Sequence, residues 1–121
     1  MVNFKIKDLD WTIKFFDPNT STDEDLTELT CGRTSYVDNL INININMKES
    51  QIMRTIRHEL THAFRWTYGC VSEMELSNIP TSELEEVIAN MIETFGDDIV
   101  FMTYDLYNKL SEELGEELDE E

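Results

Sequence analysis

The strongest structural signal in the chain is a change of hydrophobic period near residues 46–48. Before it, Ile41, Ile43 and Ile45 alternate with asparagines, the period-two pattern typical of a strand with one buried face. After it, apolar residues recur every three or four positions as far as Gly69, which predicts an amphipathic helix over residues 47–68. Its stripe consists of Ile52, Ile56, Leu60 and Ala63.

Two earlier stretches also alternate and are predicted to be strands. Val2, Phe4 and Ile6 form the first, and Trp11, Ile13 and Phe15 form the second. The short connection between them, residues 8–10, would make a hairpin. The polar residues 18–25 and the segment 32–39 are expected to be loops.

Two further helices are predicted after the first. One begins after Pro80 and would end at Gly96, and the other spans residues 97–114. We therefore expect an α+β fold in which a small three-stranded sheet packs on the 47–68 helix and on two C-terminal helices. The 121 residues suit one domain over 1–114, followed by a frayed acidic tail over 115–121.

The charge is strongly asymmetric, with 26 acidic against 9 basic residues and a net charge of −17. This argues against general binding to nucleic acid and to anionic membranes, since both need clustered Lys and Arg. No apolar stretch approaches the ~20 residues of a membrane span, and no signal peptide is evident. We expect a cytoplasmic protein in which Cys31 and Cys70 are free thiols.

The only two histidines in the chain lie four residues apart on the predicted helix, in the motif His58-Glu59-Leu60-Thr61-His62. Histidines at this spacing lie one above the other, so both imidazoles reach one metal ion. The intervening Glu59 is placed to accept a proton from a metal-bound water and so to act as a general base. The alternative is a pair of structural histidines.

A catalytic zinc site needs a third protein ligand. Because no third histidine exists, this ligand must be a carboxylate or a cysteine. On a helical wheel Glu85 lies at the edge of the apolar stripe of its helix and Glu86 points to solvent, which favours Glu85. Glu85 also has the spacing of a capping-box partner for Ser82. The weaker candidates are Cys70, Glu73 and Glu75.

Three segments resemble the ImmA/IrrE-type metallopeptidases, in particular the small single-domain forms of bacteriophages and mobile elements: 58–64 (HELTHAF), 68–69 (YG) and 85–92 (EEVIANMI). The similarity covers roughly residues 30–110. It implies a minimal zincin-like fold and one zinc ion per chain, held by His58, His62 and a glutamate. The family's E-x-x-A/V pattern gives Glu85, whereas aligning Ala89-Asn90 with the family's Ala-Asn promotes Glu86.

The resemblance also implies a gluzincin-like hydrolysis of a peptide bond, with Glu59 as general base. A second group would stabilise the oxyanion, and Arg33, Tyr36 and Tyr104 are candidates. The substrate would be a specific cytosolic protein, such as a phage or mobile-element regulator. The asparagine face of the third strand (Asn42, Asn44, Asn46) would be either a substrate-binding edge or an ordinary polar edge.

Two other functions fit the sequence. One is a catalytically inactive metal-binding domain that acts by binding a partner. The other is an acidic nucleic-acid mimic that blocks a basic protein. The intact Glu59 favours the peptidase, because a purely structural metal site has no need of a base beside its ligands.

Overall fold

The computed structural model describes the backbone of residues 1–69 and 77–119, and the side chains of residues 1–69 and 77–115. These residues form an α+β fold with a four-stranded sheet and two helices. In chain order the elements are β1 (Val2–Ile6), β2 (Leu9–Phe16), β3 (Gly32–Ser35), β4 (Leu40–Asn44), α1 (Glu49–Thr67) and α2 (Thr81–Asp119).

The strands form one mixed sheet in the order β1-β2-β4-β3. β1 and β2 are an antiparallel hairpin, β2 runs parallel to β4, and β3 is antiparallel to β4. Asn39, in the turn between β3 and β4, has a φ of 51°, a left-handed conformation that asparagine tolerates better than most residues. In this strand order β2 and β4 are the central strands, and β1 and β3 are the edge strands.

The sheet has four strands rather than the three expected, because residues 32–35 form β3 instead of a loop. This segment reads Gly-Arg-Thr-Ser and has no alternating apolar residues, which are the usual signal for a strand. Its extended form comes instead from pairing with β4, in which Gly32 lies opposite Ile43 and Ser35 lies opposite Leu40.

Because β3 covers the outer side of β4, the expectation that the asparagine strand forms an edge is wrong. Asn42 and Asn44 are each only 3% exposed. The Asn44 amide donates a hydrogen bond from Nδ2 to the carbonyl oxygen of Thr30 at 3.1 Å. These polar side chains face away from the helices and are covered by the segment between β2 and β3.

The other face of the sheet packs on both helices and forms the core. Trp11 on β2 is buried there, and its indole N–H donates to the Thr67 hydroxyl at 3.0 Å, which ties the end of α1 to the sheet. The large, almost completely buried apolar side chains of this layer are Ile6, Trp11, Ile13, Ile41, Ile43, Ile56, Leu60 and Leu106.

α2 is one continuous helix of 39 residues, so the expected division into two helices at Gly96 is wrong. Glycine disfavours a helix interior by about 1 kcal/mol, but it does not by itself end a helix. Phe95 and Ile99 on either side of Gly96 belong to the same apolar stripe and both pack on the core. No helix within the described ranges is long and apolar enough to cross a membrane.

We expect Ile56→Ala to lower the free energy of unfolding by about 2–5 kcal/mol, because it creates a cavity between α1 and the sheet. Val37→Ala is the matched control, since Val37 is 95% exposed and its truncation should change stability by less than about 0.5 kcal/mol. Urea denaturation followed by circular dichroism measures both. Equal effects of the two substitutions would contradict this packing.

Candidate metal centre

The histidine motif lies in the middle of α1, and both ends of this helix are capped by hydrogen bonds. At its start, the Gln51 side-chain oxygen accepts a hydrogen bond from the backbone N–H of Lys48 at 3.3 Å. At its end, Gly69 adopts a φ of +65° and its N–H bonds to the carbonyl oxygen of Trp66. The histidine motif lies two to three turns from the start, where the helix packs against β3 and β4.

The two histidine rings lie side by side on one flank of α1. Their Nε2 atoms are 3.3 Å apart, and the rings meet at an interplanar angle of 70°. Potential ligand atoms of His58, Glu59 and His62 all lie within 4.8 Å of one another. Among the described residues this is the only group of three or more His, Cys, Asp or Glu side chains close enough to hold a metal ion.

The three side chains differ in exposure. His58 is exposed, His62 is half-buried, and Glu59 is only 6% exposed. A buried carboxylate is unfavourable unless hydrogen bonds compensate for the water it loses. The site is therefore open to solvent at His58, whereas the Glu59 carboxylate lies on its buried side.

Thr34 on β3 supplies the compensating hydrogen bond to Glu59. Its hydroxyl lies 3.1 Å from Oε2 of the Glu59 carboxylate and 3.3 Å from the Glu59 carbonyl oxygen. A hydroxyl has one proton, so it donates to one of these acceptors at a time. Within the described residues, no other group donates a hydrogen bond to the Glu59 carboxylate.

Gly32, two residues earlier on β3, permits this close contact between strand and helix. A β-carbon at this position would lie 2.7 Å from Cγ2 of Thr55 and 3.0 Å from Cγ of Glu59. It would also meet the carbonyl oxygen of Asn42 at 3.2 Å. Any side chain here would push β3 away from α1 and disturb the Glu59 carboxylate.

Sequence reasoning missed both Gly32 and Thr34. The available signal was that they occupy alternate positions of a short polar segment immediately before a strand, so that both would share one face if the segment were extended. Nothing in the sequence indicates that this face packs against α1.

A cleft of about 600 Å³ opens beside the metal centre. Residues 29–32 form one wall, and α1 forms the other from Gln51 to Glu59. Arg54, one turn before His58, also lines it. The volume of the cleft lies within the range of about 300–1,000 Å³ that is typical of ligand-binding clefts.

The outer edge of β3 runs along the same region. The Asn44 N–H donates to the Cys31 carbonyl at 2.8 Å, which fixes the phase of the β3–β4 ladder. Because bonded pairs alternate in an antiparallel ladder, the backbone groups of Gly32 and Thr34 point away from β4. Among the described residues no strand pairs with this edge, and Gly32 and Thr34 are partly exposed.

The structure does not bring Glu85 or Glu86 to the histidines. Phe95 packs against Tyr68 near the end of α1, with ring centroids 4.5 Å apart, and α2 then runs back towards the start of α1. Glu85 precedes Phe95 by ten residues, or about 15 Å of helix, so the first turns of α2 extend past the end of α1. Both glutamates are exposed, and their role as third ligand stays a prediction.

The weaker candidates for the third ligand lie outside the described residues; they are Cys70, Glu73 and Glu75. Cys31 is a free, exposed thiol at the rim of the cleft.

Tyr36 is held in place by two neighbours on α1. Arg65 donates a hydrogen bond from Nη2 to the Tyr36 hydroxyl at 2.9 Å, and the Trp66 ring stacks on the Tyr36 ring at 4.8 Å. Arg65 is buried, so its charge is held close to this hydroxyl. Tyr36 lies outside the cleft lining, and its role as oxyanion donor stays a prediction.

The other two oxyanion candidates point elsewhere. Arg33 alternates with Gly32 and Thr34 along β3, and its guanidinium binds Asp23 at 3.2 Å and Asp25 at 3.3 Å. Tyr104 lies on α2 and is half exposed. Neither lines the cleft beside His58.

Comparisons with known proteins assign no family to the chain. No protein-family model matches it, and neither the curated proteins nor the solved structures contain a significant match. The likeness to ImmA/IrrE-type metallopeptidases therefore rests on the motif residues alone.

We expect Gly32→Ala to reduce the free energy of unfolding by about 1–3 kcal/mol, because the new methyl group overlaps Thr55 and Glu59. Gly115→Ala is the control: no atom lies within 4 Å of its added β-carbon, and alanine favours a helix. Chemical denaturation of both variants checks this. A neutral Gly32→Ala would mean that β3 does not approach α1 so closely.

Proposed function

We propose that this chain is a zinc-dependent metallopeptidase that hydrolyses a peptide bond in a specific cytosolic protein. The observation that carries the proposal is the pair of histidine Nε2 atoms 3.3 Å apart directly beside a buried glutamate carboxylate. The pair provides metal ligands, and the carboxylate provides a base.

The separation of the two nitrogens supports tetrahedral zinc. Zinc binds imidazole nitrogen at about 2.0–2.1 Å, so two such ligands of a tetrahedral ion lie about 3.3–3.4 Å apart. The Nε2 atoms of His58 and His62 match this separation. Imidazole is also a preferred ligand type for zinc.

Glu59 would act as general base and then as general acid. When bound, zinc would polarise a peptide carbonyl and ease the deprotonation of water. With Oε2 held by Thr34, Oε1 is the oxygen that accepts the proton of the attacking water. Glu59 then delivers that proton to the leaving amine.

The substrate would bind as an extended segment along the outer edge of β3. The outward N–H and C=O groups of Gly32 and Thr34 provide hydrogen bonds for an added strand. That strand would pass beside His58 and Glu59, where the scissile carbonyl must lie. Backbone bonding of this kind is independent of substrate sequence, so specificity would come from the cleft walls. The resemblance favours a phage or mobile-element regulator as the substrate.

We propose Glu85 as the third zinc ligand, with Glu86 as the runner-up, on the strength of the family resemblance. Either carboxylate would reach the histidines only if the first turns of α2 packed back along α1. Gly96, which has no described neighbour closer than 3.4 Å to an added β-carbon, is the weakest point of the helix for such a bend.

Zinc stoichiometry tests the ligand set. Elemental analysis of untagged protein should give about one zinc per chain, and both His58→Ala and Glu85→Ala should lose it. Glu86→Ala is the matched control and should retain zinc. Retention in Glu85→Ala with loss in Glu86→Ala would exchange the two assignments, and no zinc in the parent protein would contradict the metal site itself.

Hydrolysis tests the role of Glu59. We expect Glu59→Gln to keep zinc and to lose about 10²–10⁴-fold in cleavage rate, because the amide cannot accept the proton. Cleavage is detected as new peptide ends, by mass spectrometry, in a peptide mixture made from a bacterial proteome. Glu49→Gln, an exposed change in the first turn of α1, is the control and should cleave as the parent does.

Two outcomes would contradict the mechanism. Loss of zinc in Glu59→Gln would place Glu59 among the metal ligands. Zinc-loaded parent protein that yields no new peptide ends beyond the Glu59→Gln background would favour a metal-binding domain without peptidase activity.

A further inference from the structure

α2 carries a single apolar stripe that is longer than the core it packs on. Its members follow one another at spacings of three and four residues, which keeps them on one side of the helix. They are Leu84, Ile88, Met91, Phe95, Ile99, Met102, Leu106 and Leu110. From Phe95 onward the stripe packs against β1, β2 and α1, and Ile99, Leu106 and Leu110 are buried.

The first half of the stripe lies beyond the core. Phe95 makes its aromatic contacts with Phe64 and Tyr68, at the end of α1. The 14 residues of α2 before Phe95 span about 20 Å of helix past this point. On them, Ile88 is 48% exposed and Ile92 is 66% exposed, although both lie on the side that is buried further along. Leu84 and Met91 are half-buried, so the exposed apolar surface consists of Ile88 and Ile92.

This projecting half is also uniformly acidic. The chain has no Lys or Arg between Arg65 and Lys109. No described basic side chain forms an ion pair with the carboxylates of this half, which are Glu83, Glu85, Glu86 and Glu93. Glu85 lies next to the stripe, and the others lie on its flanks and on the opposite side. An apolar surface is thus bordered by uncompensated negative charge.

We infer that residues 81–94 of α2 form a docking surface for a cationic amphipathic helix of a partner protein. Such a helix would place Leu or Ile at spacings of three and four against Ile88 and Ile92, and Lys or Arg against the flanking glutamates. Burial of the apolar side chains gives affinity, and the charge pattern selects a basic partner.

A second copy of this chain is a poorer occupant of the surface. Pairing two copies would bring together two acidic segments, neither of which contains a base, and like charges across an interface are unfavourable. The inference uses none of His58, Glu59 and His62 and does not depend on peptidase activity. Glu85 lies within this surface, so docking here and zinc ligation by Glu85 exclude each other.

A designed peptide tests the docking surface. The probe is a labelled 15-residue peptide with Leu at helical spacings of three and four and Lys elsewhere, and its control is a scrambled peptide of the same composition. Fluorescence anisotropy with the full chain should give at least tenfold tighter binding of the amphipathic peptide. Equal binding of both peptides would overturn the inference, because charge alone would then explain the affinity.

Paired variants locate the binding. Ile88→Ser with Ile92→Ser should weaken binding of the amphipathic peptide at least tenfold. Val100→Ser with Phe101→Ser removes two exposed apolar side chains from a different side of α2 and should leave binding unchanged. Circular dichroism checks that both variants remain folded.

Two results from these variants would overturn the assignment. Equal weakening by both pairs would place the peptide elsewhere. A parent dimer in sedimentation analysis that the Ile88→Ser and Ile92→Ser changes dissociate would make a second copy the occupant.

Discussion

The close approach of β3 to α1 is the contact on which the metal centre depends. Gly32 lets the two backbones meet without a side chain between them, and Thr34 then reaches the Glu59 carboxylate. The buried position of Glu59 is tolerable because this hydroxyl replaces part of its hydration. The same approach places beside the histidines the outer edge of β3, with which no described strand pairs. One short strand therefore holds the Glu59 carboxylate in position and, in the proposed mechanism, would also bind the peptide.

The two helices differ in how much of their length packs on the core. α1 is covered on its apolar side along its whole length, so its polar flank is fixed in position and can carry precise chemistry. α2 packs on the core from Phe95 onward, and Ile88 and Ile92 in its first half are exposed. His58, Glu59 and His62 thus lie on α1, whereas the proposed docking surface lies on α2. Rigidity suits metal ligation, while an exposed stripe suits recognition of another helix.

Much of the framework could be predicted because hydrophobic period is a local property. β1, β2 and β4 alternate bulky apolar residues, and α1 repeats them every three or four positions. β3 was missed because its strand form comes from pairing with β4 and not from an apolar pattern of its own. Thr34 was missed because it lies 25 residues from Glu59. The predicted helix end at Gly96 was wrong because a glycine weakens a helix only locally. The apolar stripe through Phe95 and Ile99 stabilises α2 across this position by tertiary packing.

X-ray absorption at the zinc edge of zinc-loaded protein tests the metal centre most directly, because it reports the atoms that surround the ion. A site formed by His58 and His62 predicts two imidazole nitrogens at about 2.0–2.1 Å, with oxygen atoms completing a four-coordinate shell. The His58→Ala spectrum should lose this imidazole pair. A shell of oxygen atoms without imidazole, or a parent spectrum that His58→Ala leaves unchanged, would contradict a zinc site at this motif.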